Sequence, residues 1–195
     1  MSNSIQNETI GTALVIRFCR PEIRNPLSVE VLGELTVILA SLGAIEKVVF
    51  TGKDGVFASG ANLKEIAAVS PAEAHAFAIR GQKLMKMVSD LTVTTVAAVN
   101  GVCFGGALDL AISCDRRVAS SDAEFGHPGV GLGIITGWGG TQRLPRLIGE
   151  AATLEMFLTA ERINAAEALR LGLIDKVCED PVRDSLADSD PTPAS

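Results

Sequence analysis

Residues 96–115 read VAAVNGVCFGGALDLAISCD. This segment predicts a short apolar strand, a glycine-rich turn and then a helix that begins at Gly105-Gly106. The first backbone N–H groups of a helix have no partner within the helix, so they can bind an anion or a carbonyl oxygen that becomes negatively charged. Asp109 falls in the first turn of the predicted helix. The segment therefore predicts an anion-binding turn with a carboxyl group beside it.

A second stretch, FASGANLKE at residues 57–65, has the same layout of small residues, a glycine and a helix start. If the two turns lie together, each can present one N–H group to the same oxygen, which makes an oxyanion hole. The alternative is that these glycines only permit tight connections between strands and helices.

Three motifs carry a resemblance to a known family: FASGANLKEI from Phe57, AAVNGVCFGGALDLAISCD from Ala97 and FGHPGVGLGIITGWGGTQRLPRLIG from Phe125. In this order they resemble the enoyl-CoA hydratase/isomerase (crotonase) superfamily, over residues 10–178. The resemblance implies an α/β fold, a spiral of ββα units with helices outside. It also implies an acyl-CoA thioester substrate, with coenzyme A arriving as part of the substrate and no permanently bound cofactor. The oxyanion hole would then be formed by the N–H groups of Ala61 and Gly106.

The chain departs from the family pattern at its two proton-carrying positions. Asp109 stands where the family's hydratases have a glutamate, one of a pair that holds and activates water, and aspartate reaches about 1.5 Å less far. The other glutamate, in the pattern FGxPE, falls at Gly129, which cannot carry a proton. Asp109 remains the candidate acid/base, although an acid in a first helical turn can simply be stabilised by the helix dipole. His127 could substitute as a second group that titrates near neutrality, or it could be a loop histidine bonded to the backbone.

Further candidate residues for binding the substrate surround these motifs. Arg24 and Lys64 match positions near the coenzyme A side in relatives and could bind phosphates, but they could equally be solvent-facing charges. Trp138 either walls the acyl pocket or merely packs. The complete predicted substrate-binding set is Arg24, Ser59, Gly60, Asn62, Leu63, Lys64, Gly105, Gly129, Gly137 and Trp138.

The composition changes sharply after Cys178. Residues 179–195 read EDPVRDSLADSDPTPAS, with many acids and prolines and few residues to bury. This predicts a crotonase-like domain over residues 1–178 and a disordered acidic tail over residues 179–195. Members of the family typically continue with further helices that help to form a trimer, so the C-terminal helical region is expected to be truncated here. The resemblance nevertheless implies a homotrimer or hexamer.

Composition excludes several other functions. The chain has 195 residues, is 47% hydrophobic and has a net charge of −6, with no basic run, which argues against a nucleic-acid partner. The N-terminus lacks the layout of a signal peptide and no apolar run approaches a membrane span, which predicts a cytoplasmic protein with no membrane partner. Four separated cysteines and two histidines predict no metal site.

Two functions stay open beside a hydratase or isomerase. One is a family branch with thioester hydrolysis, decarboxylation or C–C bond chemistry, and the other is a catalytically weak acyl-CoA-binding or assembly subunit.

Overall fold

Short strands and helices alternate along the chain in the computed structural model, which describes residues 4–187. The strands are Ile5–Ile10 (β1), Ala13–Phe18 (β2), Pro26–Leu27 (β3), Lys47–Thr51 (β4), Val56–Ala58 (β5), Gly60–Ala61 (β6), Thr94–Val99 (β7), Val102–Phe104 (β8), Arg116–Ala119 (β9), Glu124–Gly126 (β10), Ile163–Asn164 (β11) and Lys176–Val177 (β12). The α-helices are Val29–Leu39 (α1), Leu63–Ala68 (α2), Ala74–Ser89 (α3), Gly106–Ala111 (α4), Gly140–Ile148 (α5), Glu150–Thr159 (α6), Ala165–Arg170 (α7) and Pro181–Ala187 (α8). Two 3₁₀ helices span Pro21–Ile23 and Pro128–Leu132.

Most of the strands form two sheets that the chain visits in turn. The larger sheet has the order β1-β2-β4-β7-β9-β12, and its pairings are parallel except for β1 with β2. The smaller sheet has the order β11-β10-β8-β5, and β3 pairs with β6 separately. Along the chain, β4, β7 and β9 of the larger sheet are followed by β5, β8 and β10 of the smaller one, respectively. This repeated step confirms the predicted spiral of ββα units.

The central strands of the larger sheet are buried on both faces. Along β4 the five residues of KVVFT are all buried, and alternate side chains enter different clusters, as the two-residue period of a strand requires. Val48 and Phe50 join the main core under the helices, whereas Val49 joins a smaller cluster on the opposite face. A run of apolar residues without alternation is the expected signature of such a strand.

A helix packs on the opposite face of the larger sheet, so the prediction of a disordered tail is wrong for residues 181–187. Over Pro181–Ala187 the chain forms α8, and Val182 and Leu186, four residues apart, pack on the smaller cluster. Asp180 Oδ1 accepts a hydrogen bond of 3.0 Å from the N–H of Arg183, and Lys47 Nζ donates one of 2.8 Å to the Ser185 carbonyl. Two apolar residues suffice here because the sheet already presents a valine-rich face. Residues 188–195 of the predicted tail lie outside the described residues.

Within residues 4–187, no helix is both long enough and apolar enough to cross a membrane.

Candidate active site

Two glycine-rich turns meet at one wall of a cavity. A Cβ atom at Gly60 would lie 2.6 Å from the Phe104 carbonyl oxygen and 2.7 Å from the Gly106 nitrogen. A Cβ atom at Gly106 would lie 3.4 Å from the Ala61 nitrogen. The turn at residues 60–61 is therefore in backbone contact with the turn at residues 105–106, so the two candidate N–H donors, on Ala61 and Gly106, lie on neighbouring segments.

The turn before α4 is held in place by its backbone. Gly105 has a φ of +54°, in the region that favours glycine, and its N–H donates a 2.9 Å hydrogen bond to the carbonyl of Gly126 in β10. The helix begins at the next residue, so the Gly106 N–H has no acceptor within the helix. A polar donor is thus left at the start of α4, as the sequence predicts.

The cavity has a volume of about 400 Å³ and largely apolar walls. Most of the sequence-predicted site residues line it: Ser59, Ala61, Leu63, Gly105, Gly106, Asp109, His127, Gly129, Gly137 and Trp138. Leu63 is 56% exposed at its rim, and Phe77, Phe157 and Ile66 are among the other lining residues. The cavity is suited to an apolar ligand whose polar end reaches the two turns.

Four predicted residues do not line this cavity. Gly60 lies behind its wall, where its lack of a side chain permits the contact between the turns. Asn62 caps α2, since its Oδ1 accepts a 3.0 Å hydrogen bond from the Lys64 N–H. Lys64 and Arg24 are exposed. Their role in binding phosphates stays a prediction.

Asp109 is completely buried at the end of the cavity. Thr136 Oγ1 donates a hydrogen bond to Asp109 Oδ2. Burial raises the pKa of the Asp109 carboxyl to about 7, although the Thr136 hydrogen bond, the positive charge of Arg143 and the nearby backbone N–H groups of Gly140 and Trp138 oppose the shift. A carboxyl group with this pKa is present in both protonation states near neutrality, which suits it to transfer protons in either direction.

His127 faces the same carboxyl group. Its Nε2 lies 3.6 Å from Asp109 Oδ1, which is too long for a hydrogen bond, and its side chain is only 4% exposed. Neither of these two atoms has a hydrogen-bond partner among residues 4–187. The ring packs edge-on to Phe157, with ring centroids 5.0 Å apart. Burial lowers the pKa of His127 to about 4, so its imidazole is neutral at pH 7. The alternative of a loop histidine bonded to the backbone therefore does not hold for Nε2.

Thr136 and Gly140 also belong to the site, although neither is among the residues that the sequence motifs predict for it. A Cβ atom at Gly140, the first residue of α5, would overlap Asp109 Oδ1 and lie 3.3 Å from His127 Cε1. The glycine therefore keeps open the space between the two side chains. The glycine run before α5 is a signal for such a close approach, but the sequence alone does not say which residue it approaches.

Gly129 lies in the 3₁₀ helix Pro128–Leu132, at a position that leaves no room for a side chain. A Cβ atom there would lie 2.7 Å from the Ile134 carbonyl oxygen, and the Ile134 N–H in turn donates a 3.0 Å hydrogen bond to the Gly129 carbonyl. A glutamate at this position would require the 129–134 loop to move.

Trp138 both packs and walls the cavity. Its ring fills the space above two glycines, because a Cβ atom at Gly81 or at Gly106 would overlap ring atoms. The ring is 4% exposed and its centroid lies 6.0 Å from that of Phe77. Trp138 thereby limits the cavity beside the Gly106 turn.

Among the described residues, no group of three or more His, Cys, Asp or Glu side chains is placed to hold a metal ion.

Comparison with known proteins identifies the family. The model of the family Enoyl-CoA hydratase/isomerase matches residues 8–188. The chain is 39% identical over 181 residues to a short-chain-enoyl-CoA hydratase of Clostridium acetobutylicum, covering 91% of this chain and 69% of that protein. It is 40% identical over 169 residues to a crotonyl-CoA hydratase of Syntrophomonas wolfei, covering 85% of this chain and 65% of that protein. The chain thus spans about two thirds of the length of these relatives.

Solved structures show the same likeness. A structure of Pseudomonas aeruginosa DspI superposes with a TM-score of 0.90 at 30% identity, over 95% of this chain and 78% of that one. An enoyl-CoA hydratase subunit from Geobacillus kaustophilus superposes with a TM-score of 0.87 at 35% identity, over 94% of this chain and 72% of that one. With a family match over nearly the whole chain and a shared fold, the chain belongs to the enoyl-CoA hydratase/isomerase family of enzymes.

Proposed function

We propose that the protein acts on an acyl-CoA thioester, adding water to an enoyl-CoA or isomerising it through an enolate. The observation that carries the proposal is the contact between the turns at Ala61 and Gly106 beside the buried carboxyl of Asp109, all on one apolar cavity. The names of the two curated relatives, both hydratases, support the same reaction class.

In this proposal the backbone polarises the substrate. The N–H groups of Ala61 and Gly106 donate hydrogen bonds to the thioester oxygen, which becomes negative as the enolate forms. A preorganised donor of this kind lowers a barrier by about 3 kcal/mol. Asp109 gives a proton to the α-carbon or takes one from it, because its pKa of about 7 allows both directions at neutral pH.

The acyl chain lies in the apolar cavity, with Trp138 as a wall, and coenzyme A is bound as part of the substrate. The exposed cations Arg24 and Lys64 are proposed to meet its phosphates at the rim. No permanently bound cofactor takes part in the proposed chemistry.

A second candidate function follows from Gly129. Because glycine stands where the family's hydratases are expected to carry a glutamate, the same enolate-stabilising turns would also serve thioester hydrolysis, decarboxylation or C–C bond chemistry. A catalytically weak acyl-CoA-binding or assembly subunit would likewise keep the turns while lacking that carboxylate.

The test is incubation of the native chain and of Asp109→Asn with crotonyl-CoA in isotopically labelled water. We expect labelled oxygen at the β-carbon of the product from the native chain, and a loss of this label in Asp109→Asn. Return of unchanged substrate, with thioester binding still visible by calorimetry, would instead favour the second candidate function.

Two further expectations from the sequence stay predictions. One is assembly into a homotrimer or hexamer, which light scattering tests, since a monodisperse monomer would contradict it. The other is the cytoplasmic location.

A further inference from the structure

Two polar atoms face one another without a partner in the candidate site. Asp109 Oδ1 and His127 Nε2 are 3.6 Å apart, and neither has a hydrogen-bond partner among residues 4–187. Burying a polar atom without a partner costs about 1–3 kcal/mol, so a pair of such atoms on one cavity indicates a ligand atom between them.

Neighbouring residues orient both atoms toward the same space. Thr136 holds the other carboxyl oxygen, Oδ2, which leaves Oδ1 turned toward His127. Phe157 supports the imidazole ring edge-on, and Gly140 contributes no Cβ to the gap. An oxygen atom at an ordinary hydrogen-bond distance of about 2.8 Å can reach both atoms at once.

From this geometry we infer that His127 is a catalytic base which, together with Asp109, holds the water molecule that adds to the substrate double bond. The inference rests on the proposed function, because it assigns the second proton carrier of that same reaction. It replaces a pair of carboxylates by one carboxyl and one imidazole, with the Nε2 atom of His127 unprotonated.

The proton transfers balance without any further reactant. The water oxygen bonds to the β-carbon of the enoyl thioester, and the π electrons of the double bond move to the α-carbon and the thioester oxygen. The leaving proton of the water goes to His127 Nε2, and the carboxyl proton of Asp109 goes to the α-carbon. His127 then returns its proton to the Asp109 carboxylate, so the net change is one water added across the double bond.

The resting protonation states agree with the first of these transfers. Burial lowers the pKa of His127 to about 4 and raises that of Asp109 to about 7, so between about pH 4 and pH 7 the resting pair is a neutral imidazole and a protonated carboxyl. Arg143 is the nearby cation that opposes the Asp109 shift, and Cys103 is buried nearby as a thiol whose pKa is raised well above its usual value. Both groups therefore have the protonation state that the first step requires.

The experiment separates hydration from α-carbon chemistry. Hydration of crotonyl-CoA needs both groups, whereas exchange of α-hydrogens of butyryl-CoA in D₂O needs only Asp109 and the oxyanion-binding turns. We expect His127→Gln to lose hydration by at least about 100-fold, the low end for general acid–base catalysis, and to keep exchange near the native rate, because His127 takes no part in proton transfer at the α-carbon. Asp109→Asn should lose both activities.

His75→Gln is the matched control, because His75 is the other histidine of the chain and is exposed near the start of α3. It should keep both activities. If His127→Gln unfolds, as judged by its melting temperature, His127→Asn is measured with the same two assays.

Each outcome has a distinct meaning. Hydration by His127→Gln at the native rate would overturn the inference and leave the proposed function standing. A loss of exchange equal to the loss of hydration would also overturn it, because His127 would then only support Asp109. If the native chain exchanged without hydrating, the second candidate function would take its place. If the native chain did neither, the proposed function itself would fail.

Discussion

The two halves of the candidate site are built by different means. In the backbone half, which is formed by Gly60, Ala61, Gly105 and Gly106, the glycines leave no room for side chains: a Cβ atom at Gly60 would clash with the facing main chain and one at Gly106 with the Trp138 ring, and Gly105 has a positive φ. In the side-chain half, formed by Asp109, His127, Thr136 and Gly140, burial and a few contacts set the chemistry. The first half follows the family pattern and the second departs from it. Substitutions should therefore impair the backbone half by separating the two turns, and the side-chain half by removing or displacing its proton-carrying groups.

The largest expected effect comes from Gly60→Ala in the backbone half. A methyl group there would meet two backbone atoms within 2.7 Å, at a φ of +90° that disfavours alanine. We expect separation of the two turns and a loss of hydration of at least about 100-fold, since one oxyanion donor alone is worth that much. Initial rates with crotonyl-CoA measure it.

Gly33→Ala is the control for this substitution. Gly33 lies in α1 and a Cβ atom there has nothing within 4 Å. It should keep the native rate and gain up to about 1 kcal/mol of stability, because alanine favours a helix over glycine. Native activity in Gly60→Ala would show that the two N–H groups need not meet.

Gly140→Ala should have the next largest effect, through the side-chain half. The added methyl group would overlap Asp109 Oδ1 and press on Thr136 Cγ2 at 2.7 Å, so the carboxyl must turn. Small displacements of catalytic groups cost up to about 100-fold in rate. We expect the fall in kcat rather than in thioester affinity, measured by kinetics and calorimetry. Gly131→Ala, with open space around its Cβ, should change neither.

The pH dependence of stability should reveal the opposed pKa shifts of the side-chain half. Because burial raises the pKa of Asp109 from 3.8 to about 7, its contribution to the free energy of unfolding is lost as the pH rises from about 4 to 7. The pKa of His127 is lowered from 6.5 to about 4, so its contribution is lost as the pH falls over the range from 6.5 to 4. The two slopes, each about 1.4 kcal/mol per pH unit at most, nearly cancel in the native chain.

Single substitutions should therefore expose the two slopes separately. His127→Gln should grow less stable from pH 4 to 7, whereas Asp109→Asn should grow more stable from pH 4 to 6.5. Urea unfolding at half-unit pH intervals measures both, with His75→Gln as the control that keeps the native profile. Parallel profiles in all three variants would mean that the two pKa values are not shifted in opposite directions.

The same two halves differ in how much of each could be predicted from the sequence. Glycines at fixed positions in short motifs predicted both turns and placed Asp109 in the first turn of α4, because turns and helix starts are set by local residues. The contact between Asp109 and Thr136 joins residues 27 apart, through the path of the loop before α5. No local pattern encodes that path, so the roles of Thr136 and Gly140 could not be read from the motifs.

Prediction of secondary structure from the sequence failed where contacts with other elements stabilise the segment. Residues 181–187 have the composition of a tail, and they form α8 because the valine-rich face of the sheet accepts Val182 and Leu186. Similarly, the polar residues of β1 do not have the alternating pattern of a half-buried strand, because only Ile5 is buried in this edge strand, which pairs with β2. Burial against the sheet overrides composition for α8, and backbone pairing with β2 does so for β1.

The smallest expected effect on activity is that of Gly129→Glu. This substitution tests whether the missing carboxylate alone makes the side-chain half differ from the family pattern. Restoring the carboxylate of the family pattern should increase hydration only if the loop can accept a side chain. Its Cβ would lie 2.7 Å from the Ile134 carbonyl oxygen, so we expect a loss of about 1–3 kcal/mol in stability, typical of overpacking, and no gain in rate. Gly129→Ala should lose as much stability, because the clash comes from the Cβ atom. A large gain in hydration without loss of stability would show instead that the loop is adaptable, and that the missing carboxylate alone limits this site.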